Sequence, residues 1–476
     1  MRAINLKTNH LTAPVGIDAG PLFLSWQCAD GVRQTAYEIE VTANNKTVWQ
    51  SGKVQSSAMH ADTPAVADSR VRGAWKIRLW DENDVPGAWS EARFETGLAQ
   101  CDWVGEWVDP ETEPIDILGD DAINAFARPN WERKQAEKEA AGKGAAESYK
   151  PHRPASYLRK SFTASKGEAR LYITAKGLYA AWLDGKRIGD MVLAPGSFTG
   201  NKHLGAQTYD VTALLHEGSN VLCAELADGW YRGSVGAWGL KNQYGTETKL
   251  LAQLEIKYTD GTAQTVISDG SWLWSNDGAI RFADNKDGER VNANNIPSYK
   301  NHAKETVCKV LPSASNNFPI AEKERFKPKL SVTPSGKKLL DFGQNIAGYA
   351  EFEVTARKGQ KIILEFGELL RDGELTLENI QCKNKHKTTP LQRVEYICKE
   401  GVNRYKTKFA IFGFQYISVE TDVTVRPEDF TAIAVYSDMD ETGYFNSSNE
   451  LLNKFVEATK WSAKGNSTDL PTDCPT

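Results

Sequence analysis

Residues 207–233 read QTYDVTALLHEGSNVLCAELADGWYRG, and this stretch decides the fold class. A short helical turn is followed by one long apolar strand, an arrangement that is typical of a jelly-roll β-sandwich. We therefore expect this part of the chain to be a β-domain, and the residues on either side of it set the limits of that domain.

The flanking residues predict further strands joined by tight turns. Residues 169–190 (ARLYITAKGLYAAWLDGKRIGD) form two apolar runs that meet at Asp184-Gly185. This dipeptide suits a type I′ hairpin, because both central residues of that turn need a positive φ. Asp260-Gly261 and Asp269-Gly270 mark two more turns. The sequence therefore predicts a jelly-roll domain over residues 155–305.

The first hundred residues predict a separate sandwich. Apolar and polar residues alternate in LFLSW (22–26), YEIEV (37–41) and WKIRLW (75–80), and polar turns separate these runs. Such alternation indicates half-buried antiparallel strands. The ending DVPGAWSEARFETG (84–97) resembles the last hairpin of a fibronectin type III module. We expect a fibronectin type III-like β-sandwich over residues 1–98.

A linker and a third β-rich segment follow from the remaining residues before the end of the chain. Residues 131–148 (WERKQAEKEAAGKGAAES) are rich in Ala, Glu and Lys without an apolar stripe, which predicts a short solvated helix in a linker or insertion over 99–154. Alternating runs return at 350–356, 359–370 and 408–420. They predict a third β-sandwich over 306–440, so the chain is expected to be mainly β with three consecutive β-domains.

The pattern changes to helical spacing near the end of the chain. Ser447 with Glu450 three residues later fits a capping box, and apolar residues then recur at Leu451, Leu452 and Phe455. One such amphipathic helix cannot bury its apolar face alone. We therefore expect residues 441–476 to be the start of a larger helical domain, incomplete within this chain.

Composition excludes several classes of protein. The formal net charge of −5 gives no basic footprint, so no nucleic-acid partner is expected. No window of about 18 apolar residues exists, and the first residues lack the apolar core of a signal peptide. The seven cysteines are odd in number and form no CxxC pair, which argues against a disulfide framework or a zinc site. We expect a cytoplasmic protein without a membrane partner.

Motifs that carry chemistry are few. The sequence has no phosphate-binding glycine-rich loop, no HExxH and no G-x-S-x-G, and its His residues are dispersed without metal spacing. Paired carboxylates can cleave a glycosidic bond when their environments separate their pKa values. Three close pairs exist: Glu365 with Glu368, Asp438 with Asp440, and Asp469 with Asp473.

Asp473 differs from the other carboxylates because it lies in a Pro-flanked turn, DLPTDCPT (469–476), directly after the predicted helix. A loop there can present a carboxylate to a cavity built by several helices. The alternative is that Asp473 only caps the next helix, ahead of Pro475. The residues alone leave both roles open, and they favour solvated strand ends for the first two pairs.

Three long segments together resemble the bacterial α-L-rhamnosidases of glycoside hydrolase family 78. Residues 193–233 are similar to the signature of that family's N-terminal jelly roll, and residues 339–370 (LLDFGQNIAGYAEFEVTARKGQKIILEFGELL) to the opening of its concanavalin-like domain. Residues 444–476 (YFNSSNELLNKFVEATKWSAKGNSTDLPTDCPT) are similar to the entry of its (α/α)6 catalytic barrel. The three segments occur in the order that the family has.

The resemblance implies a function and assigns roles to residues. It implies hydrolysis, with inversion, of terminal α-L-rhamnosides, so the partners are rhamnose-containing glycosides. Asp473 matches the first carboxylate of the active-site run and would contact the sugar. The general acid is expected just beyond Thr476 and the base further on, so no catalytic group is expected within the chain. No cofactor is required, and a homodimer is compatible with the resemblance.

Two departures from the family pattern concern specificity. After LAPG the chain reads Ser197-Phe198-Thr199-Gly200-Asn201, so an Asn remains but the carboxylate of the sugar- and calcium-binding versions does not. Calcium needs several oxygen ligands, usually charged ones, so the residues disfavour calcium in the jelly-roll domain without excluding it. Asn201 stays a candidate sugar contact. Trp230 could stack on a sugar or pack in the core.

The second departure lies in FAIFGFQY (409–416), where Phe412 and Gln415 replace a His and an Arg of the family. Those positions are expected to face the barrel, so the changes predict a shifted specificity. The rival interpretation of the whole chain is a non-catalytic carbohydrate-binding protein built from β-sandwiches. An unburied apolar face on the final helix would favour the enzyme interpretation.

Overall fold

The computed structural model describes residues 1–111, 153–198, 200–236, 239–315, 318–383 and 388–472. The charged helix that we predict at 131–148 lies outside the described residues. Strands dominate the described part of the chain, which contains two α-helices, α1 (Gly229–Arg232) and α2 (Glu450–Gly465). Short 3₁₀ helices occur at Gln100–Asp102 and Pro427–Asp429. The prediction of a mainly β chain is confirmed.

The first β-sandwich contains nine strands: β1 (Arg2–Thr8), β2 (Val15–Ile17), β3 (Gly20–Ala29), β4 (Ala36–Ala43), β5 (Lys46–Gln50), β6 (Val54–Gln55), β7 (His60–Ala67), β8 (Arg72–Trp80) and β9 (Ser90–Thr96). One sheet has the order β1-β3-β7, and the other has the order β2-β9-β8-β4-β5 with β6 paired to β4. Leu22, Leu24 and Trp26 of β3 are buried, as their alternation predicts.

The middle of the chain forms strands β10 (Trp107–Asp109), β11 (Ser156–Ala164), β12 (Glu168–Lys176), β13 (Leu178–Leu183), β14 (Lys186–Arg187), β15 (Gly205–Asp210), β16 (Gly218–Ala227), β17 (Lys249–Lys257), β18 (Ala263–Ile267), β19 (Leu273–Ser275), β20 (Ile280–Asp284), β21 (Gly288–Asn292), β22 (Asn301–His302), β23 (Lys304–Thr306) and β24 (Ser313–Ala314). All but two of them form the two sheets of the jelly roll. Their orders are β23-β10-β17-β12-β15-β24, with β18 on β17, and β14-β13-β16-β11-β19-β22.

The predicted hairpin at Asp184-Gly185 is present. Asp184 has φ 49° and Gly185 has φ 76°, the positive values that a type I′ turn requires, and the turn joins β13 to β14. The long apolar strand of the opening stretch is β16, which pairs with β11 on one side and β13 on the other. Its burial alternates: Leu222, Ala224 and Leu226 are buried, whereas the residues between them are only partly buried, as expected for an antiparallel strand with one face on the core.

The third β-domain adds strands β25 (Ile320–Phe326), β26 (Lys329–Val332), β27 (Lys338–Ala356), β28 (Lys361–Gly367), β29 (Leu369–Arg371), β30 (Glu374–Thr376), β31 (Cys382–Lys383), β32 (Thr388–Thr389), β33 (Arg393–Ile397), β34 (Gly401–Lys406), β35 (Phe412–Thr421) and β36 (Phe430–Ser437). Its main sheet has ten strands, with the path β20-β21-β33-β28-β35-β27-β36-β25 and with β26 and β34 on β27.

Strand β27 turns this single sheet into two layers. Its first half pairs with β26 and β35, and its second half pairs with β36 and β34. The ring centroids of Phe352 on the second half and Tyr396 on β33 are 5.2 Å apart. The two halves therefore enclose a shared core, as in a sandwich.

Strands β20 and β21 lie in the jelly-roll part of the sequence but belong to the sheet of the third domain. Strand β21 pairs in parallel with β33, beginning at Gly288 opposite Arg393. A Cβ at Gly288 would lie 1.9 Å from the carbonyl oxygen of Arg393, and its φ is 110°. Only glycine fits this close approach. Because β20 and β21 belong to the sheet of the third domain, the two domains share one continuous core.

The chain ends its described part with helix α2 and a small hairpin of β37 (Ser467–Thr468) and β38 (Leu470–Pro471). The predicted capping box at Ser447 is wrong. Asn449 is the N-cap, and its side chain accepts hydrogen bonds from the backbone N–H groups of Leu451 and Leu452. The Ser447 hydroxyl instead contacts the Asn449 carbonyl and the Asn453 side chain.

Candidate functional site

The segment that leads into the predicted active-site turn is held by hydrogen bonds up to its last described residue. Strands β37 and β38 pair through Thr468 and Leu470, and the Thr472 N–H donates to the Asn466 carbonyl at 2.7 Å. Thr468 is buried. Asp473, the predicted sugar contact, lies outside the described residues together with 474–476. Its role therefore stays a prediction.

Asp469 forms the tip of this hairpin and points into the jelly roll. One carboxylate oxygen, Oδ2, accepts from the Ser197 backbone N–H at 2.7 Å and from the Ser197 hydroxyl at 2.9 Å. The Asp469 N–H donates to the Ser437 hydroxyl, at the end of β36, at 2.8 Å. Three parts of the chain thus meet at Asp469, which the sequence showed only as one half of a carboxylate pair.

Helix α2 packs on the third domain through one side and exposes the other. Trp461 meets Phe326 with ring centroids 5.8 Å apart, and the Lys464 ammonium donates to Glu324 at 2.8 Å. Leu451 is 77% exposed and Phe455 is 68% exposed. No residue of the helix is fully buried, so the apolar face predicted from the sequence has no cover within the described chain.

The other two carboxylate pairs have charged or polar partners. Glu365 forms an ion pair with Arg393 at 3.0 Å, and Glu368 accepts from two asparagine side chains. Asp440 pairs with Lys7 at 2.6 Å, and Asp438 pairs with a lysine of β25. Carboxylates at protein surfaces commonly form ion pairs and hydrogen bonds of this kind without any catalytic role. These contacts agree with strand-end positions rather than with an acid–base pair.

The two candidate sugar contacts of the jelly roll, Trp230 and Asn201, differ in burial and in their contacts. Trp230 is in α1, partly buried, and packs against the main core. Asn201 is exposed, and its side-chain amide donates to the Tyr244 carbonyl at 2.7 Å. Thr199, two residues before Asn201 in the departure from the family pattern, lies outside the described residues. The sugar contacts of Trp230 and Asn201 stay predictions.

A buried charge cluster connects the jelly roll to the third domain. The Lys241 ammonium donates to Asp284 Oδ2 at 2.7 Å, and that oxygen also accepts from the N–H and hydroxyl of Ser234, both at 2.9 Å. Burial alone would favour the neutral forms. The attraction between the two charges outweighs it, so the pKa of Lys241 lies above its usual range and that of Asp284 below. No motif in the sequence indicated this cluster.

The described residues contain neither a cluster that could hold a metal ion nor a helix that could span a membrane. No group of three or more His, Cys, Asp or Glu side chains in this part of the chain is arranged to hold a metal ion. Among the helices that the structure describes, none has the length and apolar character needed to cross a bilayer.

Family models match the chain in series. Residues 3–100 match the Rha78A-like N-terminal immunoglobulin domain, and residues 165–324 the α-L-rhamnosidase N-terminal domain. Residues 331–436 match the bacterial α-L-rhamnosidase concanavalin-like domain, and residues 440–476 the six-hairpin glycosidase domain of the same proteins. The chain belongs to the bacterial α-L-rhamnosidase family.

Individual relatives agree with this assignment. An α-L-rhamnosidase of Alteromonas sp. (strain LOR) is 31% identical over 97% of this chain and 50% of its own length. The solved α-L-rhamnosidases of Aspergillus terreus and Dictyoglumus thermophilum superpose over the whole chain with TM-scores of 0.83 and 0.84, at 28% and 27% identity, and 53% of each is covered. The chain thus spans about half the length of these rhamnosidases.

The two positions that depart from the family pattern, Phe412 and Gln415, differ in their burial. The expectation that both positions face the barrel is wrong for Phe412, whose ring is fully buried and stacks on Phe366 with centroids 4.1 Å apart. An apolar ring at this place is stabilised by the core of the third domain. Gln415 is only half buried, and its amide donates to Asp341 and to the Tyr416 hydroxyl, both at 3.0 Å. A specificity change is therefore better sought at Gln415.

Proposed function

We propose that this chain is the non-catalytic front part of an α-L-rhamnosidase that hydrolyses terminal α-L-rhamnosides with inversion. The observation that carries the proposal is the match of residues 440–476 to the six-hairpin glycosidase domain, after three matched β-domains in order. Helix α2 supports it, since its exposed Leu451 and Phe455 are where further barrel helices would pack.

The proposed reaction uses two carboxyl groups on opposite faces of the sugar. One carboxylic acid protonates the leaving glycosidic oxygen, and one carboxylate takes a proton from the water that attacks the anomeric carbon. The two groups must stand ~6.5–9.5 Å apart to leave room for that water. We place both beyond Thr476 in the longer protein, with Asp473 as the sugar contact that this chain supplies.

In this proposal the β-domains hold the first barrel helix rather than perform chemistry. Trp461 and Lys464 fasten α2 to the third domain, and Asp469 fastens the following hairpin to the jelly roll. The partners of the longer protein would be rhamnose-containing glycosides. We also propose a cytoplasmic location, which is supported by six described cysteines that are all free thiols.

The rival proposal, a self-sufficient carbohydrate-binding protein, is disfavoured by the same helix. A protein that functions alone would be expected to cover side chains such as Phe455, since exposed apolar patches favour aggregation. Calorimetry of the 476-residue chain with L-rhamnose separates the two proposals. Binding at micromolar to low-millimolar sugar that survives removal of residues 441–476 would favour the binding protein.

The enzyme proposal is tested by the stereochemistry of the product. The longer protein is incubated with an aryl α-L-rhamnoside, and proton NMR follows the anomer that forms first. We expect β-L-rhamnose to appear before mutarotation, because water attacks from the face opposite the leaving group. Initial release of the α-anomer, or no release of rhamnose, would contradict the proposed mechanism or the proposed substrate respectively.

A further inference from the structure

We propose that Asp469 is a positioning residue, which holds the active-site turn in register by fastening its hairpin to Ser197 of the jelly roll. The inference rests on the proposed function, because it concerns how the segment that precedes Asp473 is held. It gives the jelly roll a part in catalysis that acts through the position of the turn.

The first support is the convergence of donors on one carboxylate oxygen. Ser197 donates through both its backbone N–H and its hydroxyl to Asp469 Oδ2, at 2.7 and 2.9 Å. Hydrogen bonds to an ionised acceptor are shorter and roughly twice as strong as neutral ones. The backbone of Asp469 is fixed as well, because its N–H donates to Ser437 at 2.8 Å. The hairpin tip is therefore fixed to two domains at once.

The second support is the backbone at both ends of this contact. Asp469 has φ 68°, a left-handed conformation that glycine adopts freely and that Asp and Asn adopt more readily than other side chains. On the other side, a Cβ at Gly196 would lie 2.7 Å from Asp469 Oδ2. The jelly-roll loop thus leaves room for the carboxylate at Gly196, and the left-handed backbone at the hairpin tip suits Asp as well as Gly.

The third support is the short path from Asp469 to Thr472, whose backbone is hydrogen-bonded to the end of helix α2. Leu470 and Pro471 form β38, and the Thr472 N–H returns to the Asn466 carbonyl at 2.7 Å. A shift of Asp469 would therefore move Thr472, the last described residue of this segment. Misplacement of a catalytic or substrate-binding group by ~1 Å can cost on the order of 100-fold in rate.

The contact itself is tested in the 476-residue chain by hydrogen–deuterium exchange of the peptides that cover 193–198 and 467–472. Asp469→Gly removes the carboxylate and suits the positive φ, whereas Asp469→Asn keeps an acceptor at the same place. Asp372→Gly is the matched control, since Asp372 is an exposed turn residue with φ 52°. We expect at least about tenfold faster exchange in both peptides for Asp469→Gly only, the factor that loss of ~1.4 kcal/mol of protection gives. Unchanged exchange overturns the proposal.

The positioning role is tested in the longer protein with an aryl α-L-rhamnoside. We expect Asp469→Gly to lower kcat by roughly 10- to 100-fold with a smaller change in KM, and Asp469→Asn to restore most of the rate. Accelerated exchange with an unchanged kcat would overturn the positioning role. If the wild-type longer protein does not release rhamnose, the proposed function fails and this role with it, whereas the exchange result still decides whether the contact exists.

Discussion

Lys241 and Asp284 form a buried ion pair at the junction of the jelly roll and the third domain. Both are fully buried, and their charges are 2.7 Å apart. Loss of one partner from a buried ion pair leaves an uncompensated charge and destabilises a protein by about 3–5 kcal/mol. Sequence reasoning could not find this pair, because its two members are 43 residues apart and belong to no motif.

We therefore predict that Asp284→Asn strongly destabilises the chain. The amide keeps the shape of the carboxylate, but Lys241 then retains as anionic neighbours Asp287, at 4.0 Å, and Asp228, without its direct charged partner. Urea unfolding followed by tryptophan fluorescence should show a loss of about 3 kcal/mol or more. Asp372→Asn, the same substitution in an exposed turn, should change stability by less than about 0.5 kcal/mol. Equal effects of the two substitutions would contradict the prediction.

The same pair predicts a pH dependence with a definite sign. The pKa of Asp284 is lower in the folded chain than its ordinary value of about 4. Its ionisation therefore stabilises the folded state above pH ~4, and this contribution is lost as pH falls below that value. The stability difference between wild type and Asp284→Asn should be largest near pH 7 and should shrink between pH 4 and 3. A difference that grows on acidification would contradict the assigned direction.

At the scale of elements, the sequence predicts structures that depend on neighbouring residues, but it does not predict pairings between residues far apart in the chain. The hairpin at Asp184-Gly185 and helix α2 follow from turn chemistry and from helical spacing, which act within a few residues. The pairing of β21 with β33 brings Gly288 to Arg393, and the contact of Asp469 with Ser197 spans 272 residues. Neither leaves a periodic pattern in the sequence. Phe412 was misplaced for a related reason, since family resemblance gives a residue's position but not its burial.

Helix α2 carries the next prediction. Glutamate in place of Leu451 and Phe455 should reduce both the self-association of the 476-residue chain and its binding of a fluorescent dye for apolar surfaces. Because both side chains are exposed, the free energy of unfolding should change by less than about 0.5 kcal/mol. Lys454→Glu, on the exposed polar part of the same helix, is the matched control. A loss of stability of 2 kcal/mol or more would mean that this face is already packed within the chain.

The N-cap of the same helix gives a smaller effect. Asn449 accepts from two backbone N–H groups at 3.0 and 3.2 Å, so Asn449→Ala should cost about 1 kcal/mol of helix stability. Ser447→Ala should cost less, because Ser447 is not the cap. Amide exchange of residues 450–454 measures both. A larger effect at Ser447 than at Asn449 would restore the capping box that the sequence predicted.

At the scale of the whole molecule, the chain is a β-rich scaffold that ends its described part on a helix and a fixed hairpin. The sequence predicted the order of three β-domains and a helical start, since strand alternation and turn residues recur throughout. It predicted the family from three segments in order. The sheet that β20 and β21 join, which makes one core of two domains, follows only from the three-dimensional structure.

We propose that this chain carries the segment that leads into the active-site turn but neither the general acid nor the general base, and one side-by-side assay tests this most directly. Release of nitrophenol from an aryl α-L-rhamnoside is compared for the 476-residue chain and for the longer protein that continues through the six-hairpin domain. General acid catalysis alone contributes typically about 10²–10⁴-fold, so we predict turnover by the longer protein and none above blank by the shorter chain. Turnover by the 476 residues that Asp473→Ala abolishes would contradict the account.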